Sequence, residues 1–141
     1  MDSKVESANL ILKLYELRRD PTMREARNWF IGFHPESAQD VVDAYMGEHS
    51  GYYRMVTSYW EMAASFVTHG AIDEAMFNEA NGEHIAVFAK LEPHLAELRQ
   101  ILNSPRGMAN LEKVVMAIPN ASERLAITRE RLKAYTRKSG K

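Results

Sequence analysis

The chain has 141 residues, of which 45% are hydrophobic and 26% charged, with a net charge of −1; such a composition belongs to a globular protein able to bury a core without staples. It has no cysteine, which excludes disulfides, thiolate zinc sites and thiol nucleophiles. That fits a reducing compartment, so a cytoplasmic location is expected. The start, Met1-Asp2-Ser3-Lys4-Val5-Glu6, shows no basic segment followed by an apolar run, so no signal peptide is expected. No apolar stretch approaches the ~20 residues of a membrane span, and no membrane partner is expected.

The apolar spacing is helical nearly everywhere, and no two-residue alternation competes with it. Ser3 followed by Glu6 makes a capping-box pattern that opens the first helix. There Val5, Ala8, Leu12 and Tyr15 form one stripe, widened by Leu10, Leu14 and Leu17; so broad a face predicts packing on more than one side. Asp20-Pro21 reads as N-cap plus proline at the first helical position. Met23, Ala26, Phe30 and Phe33 follow at 3-4-3 spacing, until His34-Pro35 ends the second helix. Ser37 caps a short third helix that stops near Gly47. The fourth helix, 50–69, carries Tyr52, Met55, Val56, Tyr59, Trp60, Ala63, Phe66 and Val67, with Gly70 just past its end. It is apolar over much of its circumference and is expected to be central. Asp73 caps a fifth helix. Phe88, Leu91, Leu95, Leu98 and Leu102 mark a sixth, which Pro93 should kink or divide. Asn103-Ser104-Pro105 predicts the start of a seventh, with Met108, Leu111, Val115 and Ile118 along its core face. Ala121, Leu125, Thr128, Leu132 and Tyr135 give the last helix a short heptad seam. The expected architecture is therefore all-α: a single domain over 1–141, a compact bundle of seven or eight helices with helix 50–69 in the middle, and a basic C-terminal helix, 120–141, that could stand as an appendage.

Charge is unevenly placed. From Arg124 onward seven basic residues accompany one acidic residue, Glu130, giving +6 there and −7 in the rest of the chain. Arg129, Arg131, Lys133, Arg137 and Lys138 are thus candidate nucleic-acid contacts. The same helix could equally dock on the protein's own acidic body.

Motifs for chemistry are sparse. The histidines are His34, His49, His69, His84 and His94, with no Glu-x-x-His and no His-x-x-x-His among them, so no metal site is expected. No nucleophile elbow and no glycine-rich phosphate loop occurs, and no cofactor is implied. The most informative polar residue is Glu61, set between Trp60 and Met62 on the helix expected to be most enclosed. A buried carboxylate must be paired. Arg27 is the expected partner, with Arg24 or Arg99 next; a general base or ligand role is the alternative. Trp29, Tyr52, Tyr59 and Trp60 are candidates to line a pocket or an interface.

Met23-Arg24-Glu25-Ala26-Arg27, Ser58-Tyr59-Trp60-Glu61-Met62-Ala63, Gly70-Ala71-Ile72-Asp73 and Leu91-Glu92-Pro93-His94-Leu95 with Arg99 together resemble the family called domain of unknown function 4760, over about residues 10–102. The resemblance implies a helical fold and draws attention to Glu61, Arg27 and Arg99. It brings no activity with it, and it leaves residues 105–141 outside. Three functions stay open. The first is a non-enzymatic protein–protein interaction module, self-associating as a homo-oligomer such as a dimer. The second is nucleic-acid binding through the basic last helix, and the third an enzyme or small-ligand binder with a pocket near Glu61 and Trp60.

Overall fold

The computed structural model describes residues 3–140, with side chains as far as Lys138. Met1, Asp2 and Lys141, which belong to the chain start and the basic segment discussed above, lie outside the described residues. In chain order the helices are α1 (Ser3–Arg18), α2 (Pro21–Ile31), α3 (Ala38–Met46), α4 (Ser50–Thr68), α5 (Glu74–Ala80), α6 (Glu83–Leu91), a 3₁₀ turn (Glu92–His94), α7 (Leu95–Ile101), α8 (Ala109–Met116) and α9 (Ala121–Gly140). No strand occurs among the described residues, and the fold is all-α.

Local chemistry sets most of the boundaries. Asp20, Ser37 and Asp73 each accept a hydrogen bond from the backbone N–H three residues on, at 3.1, 3.1 and 2.9 Å, satisfying one amide that a helix start otherwise leaves open. Gly70 ends α4 with φ +85°. The Ala71 amide donates to Phe66 O and the Gly70 amide to Val67 O, a Schellman closure that needs the left-handed conformation glycine adopts without penalty. Pro93 divides the expected long sixth helix into α6 and α7, with the 3₁₀ turn between them, because proline has no N–H to continue the ladder.

α4 is the central element. It packs against α2, α8, α3 and α5, and the Tyr59 hydroxyl donates to Leu14 O of α1. Tyr53, Val56, Thr57, Tyr59, Trp60, Ala63, Ala64 and Val67 are buried along it. Each large apolar side chain so placed contributes about 1.5–3 kcal/mol. α9 lies along α6 and touches α8, with Ala121, Leu125 and Thr128 buried.

Two expectations are corrected. α1 packs on one side only. It buries Ser7, Ile11 and Leu14, while Val5, Leu12 and Tyr15 of the expected stripe are 55%, 62% and 52% exposed. α8 does not begin at Pro105: residues 103–108 form turns, with Asn103 and Met108 at φ 53° and 60°, and the helix starts at Ala109. Its N-cap residue, Met108, has no side chain able to cap it.

Candidate functional site

The expected pairing of Glu61 with Arg27 is not the one the structure makes. Glu61 is half-buried and faces the start of α8. Its Oε2 accepts from the Asn110 backbone amide at 3.1 Å and from Asn110 Nδ2 at 2.9 Å, and its Oε1 accepts from the Leu111 amide at 2.9 Å. A carboxylate from α4 thus caps the helix that lacks a cap of its own, where the helix dipole favours negative charge. Arg99 fixes the preceding loop, donating to Gly107 O at 3.0 Å and to Glu112 at 2.8 Å. Arg24 is exposed on α2.

Arg27 pairs instead with Glu83, at the start of α6. Its Nε lies 2.9 and 3.0 Å from the two carboxylate oxygens and its Nη2 2.9 Å from Oε1. Trp60 Nε1 donates to the same carboxylate at 3.2 Å, and Arg18 stands 3.8 Å away, with its guanidinium 5.4 Å from the centre of the Trp60 ring. Four helices, α1, α2, α4 and α6, meet on this one carboxylate. Next to it His84 is fully buried, 4.7 Å from the Phe77 ring centre and 5.7 Å from that of Trp60. Burial, aided by the Arg18 charge, lowers its pKa from 6.5 to about 4. Its Nε2 meets Asn78 Oδ1 at 2.8 Å. Burial also raises the Tyr59 hydroxyl to about 12. Most of the polar groups here satisfy one another, as in a structural hub, while two buried nitrogens, Arg18 Nε and His84 Nδ1, have no hydrogen-bond partner among the described residues.

The four aromatic candidates separate into two pairs. Tyr59 and Trp60 are core. Trp29 and Tyr52 are half-buried on another face, where Trp29 stacks between Phe33 at 5.0 Å and His49 at 5.2 Å and the Tyr52 hydroxyl donates to Glu25 at 2.9 Å. The basic residues of α9 also divide. Arg129 donates to Ala89 O at 2.8 Å and meets Glu92 at 3.4 Å, and Lys133 is half-buried. Arg131, Arg137 and Lys138 are exposed.

Among the described residues, unassigned polar chemistry also gathers in a cleft that the sequence analysis missed. It measures about 280 Å³ and lies between the chain after α2 (His34, Pro35, Glu36), the end of α6 and the 3₁₀ turn (Lys90, Pro93, His94), and α9 (Arg129, Leu132, Lys133). Lys90 is only 4% exposed. Its ammonium donates to Ile31 O at 3.0 Å, Phe33 O at 2.6 Å and His34 Nδ1 at 3.2 Å. An ammonium can only donate, so Nδ1 must accept, and His34 carries its proton on Nε2. That proton goes to Thr136 Oγ1 of α9, 3.1 Å away, whose hydroxyl donates to Leu132 O at 2.9 Å. Burial lowers the Lys90 pKa to about 8; burial, then Lys90 and Lys133, lowers that of His34. The signal for this site was present: Lys90 is a lone cation inside the apolar run Ile85–Leu91.

Residues 4–117 match the family described as Domain of unknown function (DUF4760). The chain belongs to that family. No curated protein and no solved structure matches it. The match runs past the expected end at residue 102 and takes in α8, so the DUF4760 segment includes both Glu61 and the helix it caps. α9 lies beyond it. The cleft therefore joins His34, Lys90 and His94 of the DUF4760 segment to Arg129, Lys133 and Thr136 outside it. Among the described residues no cluster of three or more His, Asp or Glu side chains converges as a metal site, and no helix is long and apolar enough to cross a membrane.

Proposed function

We propose that the protein is a cytoplasmic interaction module that self-associates as a dimer through the outer face of α1. The observation that carries this reading is the row of exposed apolar residues there, Val5, Leu12 and Tyr15. Water contact on so much apolar surface in one 16-residue helix is unfavourable unless something covers it. The stripe Val5–Ala8–Leu12–Tyr15 has 3-4-3 spacing, which reads the same in either direction. An antiparallel copy of α1 would set Val5 opposite Tyr15 of the partner subunit and Ala8 opposite Leu12 of the partner subunit. Such self-complementarity is what a two-fold interface requires.

Sedimentation of the wild-type protein and of Leu12→Lys tests it. The wild type should form a dimer across the micromolar range, and Leu12→Lys, which places a charge on the two-fold seam, should be a monomer with unchanged helicity. A wild type that stays monomeric, or a Leu12→Lys variant that dimerises as well as the wild type, would refute the reading.

A further inference from the structure

The cleft beside α9 carries chemistry that self-association does not use. Its 280 Å³ corresponds to about nine water volumes, room for an ion or a small organic acid. Pro35, Pro93 and Leu132 form apolar walls, and Lys90, Arg129, Lys133, His34 and His94 line it against one lining carboxylate, Glu36.

The cations play two parts. Lys90 has all three protons engaged, so it cannot turn to a ligand. Its charge stays in the wall, where poor screening makes it felt across the cleft. Arg129 makes its hydrogen bonds through Nη1, to Ala89 O and Glu92. Among the described residues nothing takes up its Nε and Nη2. Those two N–H groups are parallel and match the spacing of two oxygens on one carboxylate or phosphate. Lys133 holds only a 3.5 Å contact to the largely exposed Glu130, which a bound anion can displace. His94 donates from Nε2 to Pro35 O at 3.3 Å, which leaves Nδ1 an acceptor, so this ring lines the cleft without donating into it.

We propose that this cleft binds a small oxyanion, the carboxylate or phosphoryl group of a compact, partly apolar metabolite. Arg129 and Lys133 hold it from α9. Glu92 and Glu130 contact Arg129 and Lys133 but do not line the cleft. The ligand would bridge the family segment to α9 and hold that helix down.

The test is an amide NMR titration of the full chain at constant ionic strength, with inorganic phosphate in one arm and benzoate in the other. At least one probe should give saturable shifts confined to residues 34–36, 90–94 and 129–133; whichever saturates at lower concentration identifies phosphoryl or carboxylate as the preferred group. Lys133→Gln should weaken binding about tenfold, while Arg137→Gln, which removes the same charge from an exposed position on α9, should leave it unchanged. Lys133 lies on the rim and Arg129 keeps its bond to Ala89, so the variant should remain folded, with wild-type shifts elsewhere. Shifts that do not saturate, that spread over the basic face of α9, or that weaken equally in both variants would overturn the proposal.

Discussion

Glu61→Ala removes the carboxylate that closes the N-terminal end of α8. Three N–H groups lose their acceptor, the amides of Asn110 and Leu111 and the Asn110 side chain. The Ala109 amide keeps Arg106 O and the Glu112 amide keeps Met108 O, so the damage is confined to these three. Loss of a helix cap costs about 1–2 kcal/mol, and the Asn110 side chain adds about 1 kcal/mol. Glu61 is half-buried, so water can partly replace it, and the total should be about 2–3 kcal/mol. At this chain length that lowers Tm by roughly 5–10 °C. Glu61→Gln keeps one acceptor oxygen and should lose about half as much. Urea unfolding followed by far-ultraviolet circular dichroism gives the energy, and hydrogen exchange at the Asn110 and Leu111 amides gives the location. Because Arg27 bonds to Glu83, a Glu61/Arg27 double-mutant cycle should show coupling within about 0.5 kcal/mol of zero. Destabilisation below about 0.5 kcal/mol, with exchange at both amides unchanged, would refute the capping argument.

Two further perturbations bear on the hub at the start of α6. Glu83→Gln leaves Arg27 and Arg18 without their counter-charge and should cost about 2–3 kcal/mol, less than for a fully buried pair because Arg27 and Glu83 keep some exposure. A Glu83/Arg27 cycle read by tryptophan fluorescence during urea unfolding should show strong coupling, and its absence would remove the hub. His84 has a folded-state pKa of about 4 against 6.5, so the unfolded chain takes up the proton first. Its contribution is fully present above pH 6.5 and is lost as pH falls towards 4, amounting to about 3 kcal/mol. Urea midpoints of the wild type should fall through that window, while His84→Leu should lack this part of the slope; parallel curves for the two proteins would assign the effect to other groups.

Much of the fold was legible because helix boundaries rest on short-range chemistry. Asp20, Ser37 and Asp73 sit three residues from the amides they cap, and Pro93 acts on its own backbone. The candidate site was legible only in its residue types. Glu61 stood out as a carboxylate needing partners, yet its partners lie 49 and 50 positions away. Arg27 needed a carboxylate too, and several were available in the sequence. Choosing Glu83 over Glu61 requires knowing that α6 begins beside α2.

The sequence by itself determined that this chain is helical, where most of its helices begin and end, and that α4 is enclosed, because apolar period and capping act within a few residues. Tertiary structure alone decided which face of α1 is left to solvent and that α8 starts at Ala109 under a cap from α4. It also decided that Lys90, His34 and Thr136 form one relay. The physical reason is common to all three. A hydrogen bond or ion pair is set by distance through space, and residues 56 and 102 positions apart, as in that relay, come within about 3 Å only after the helices have packed.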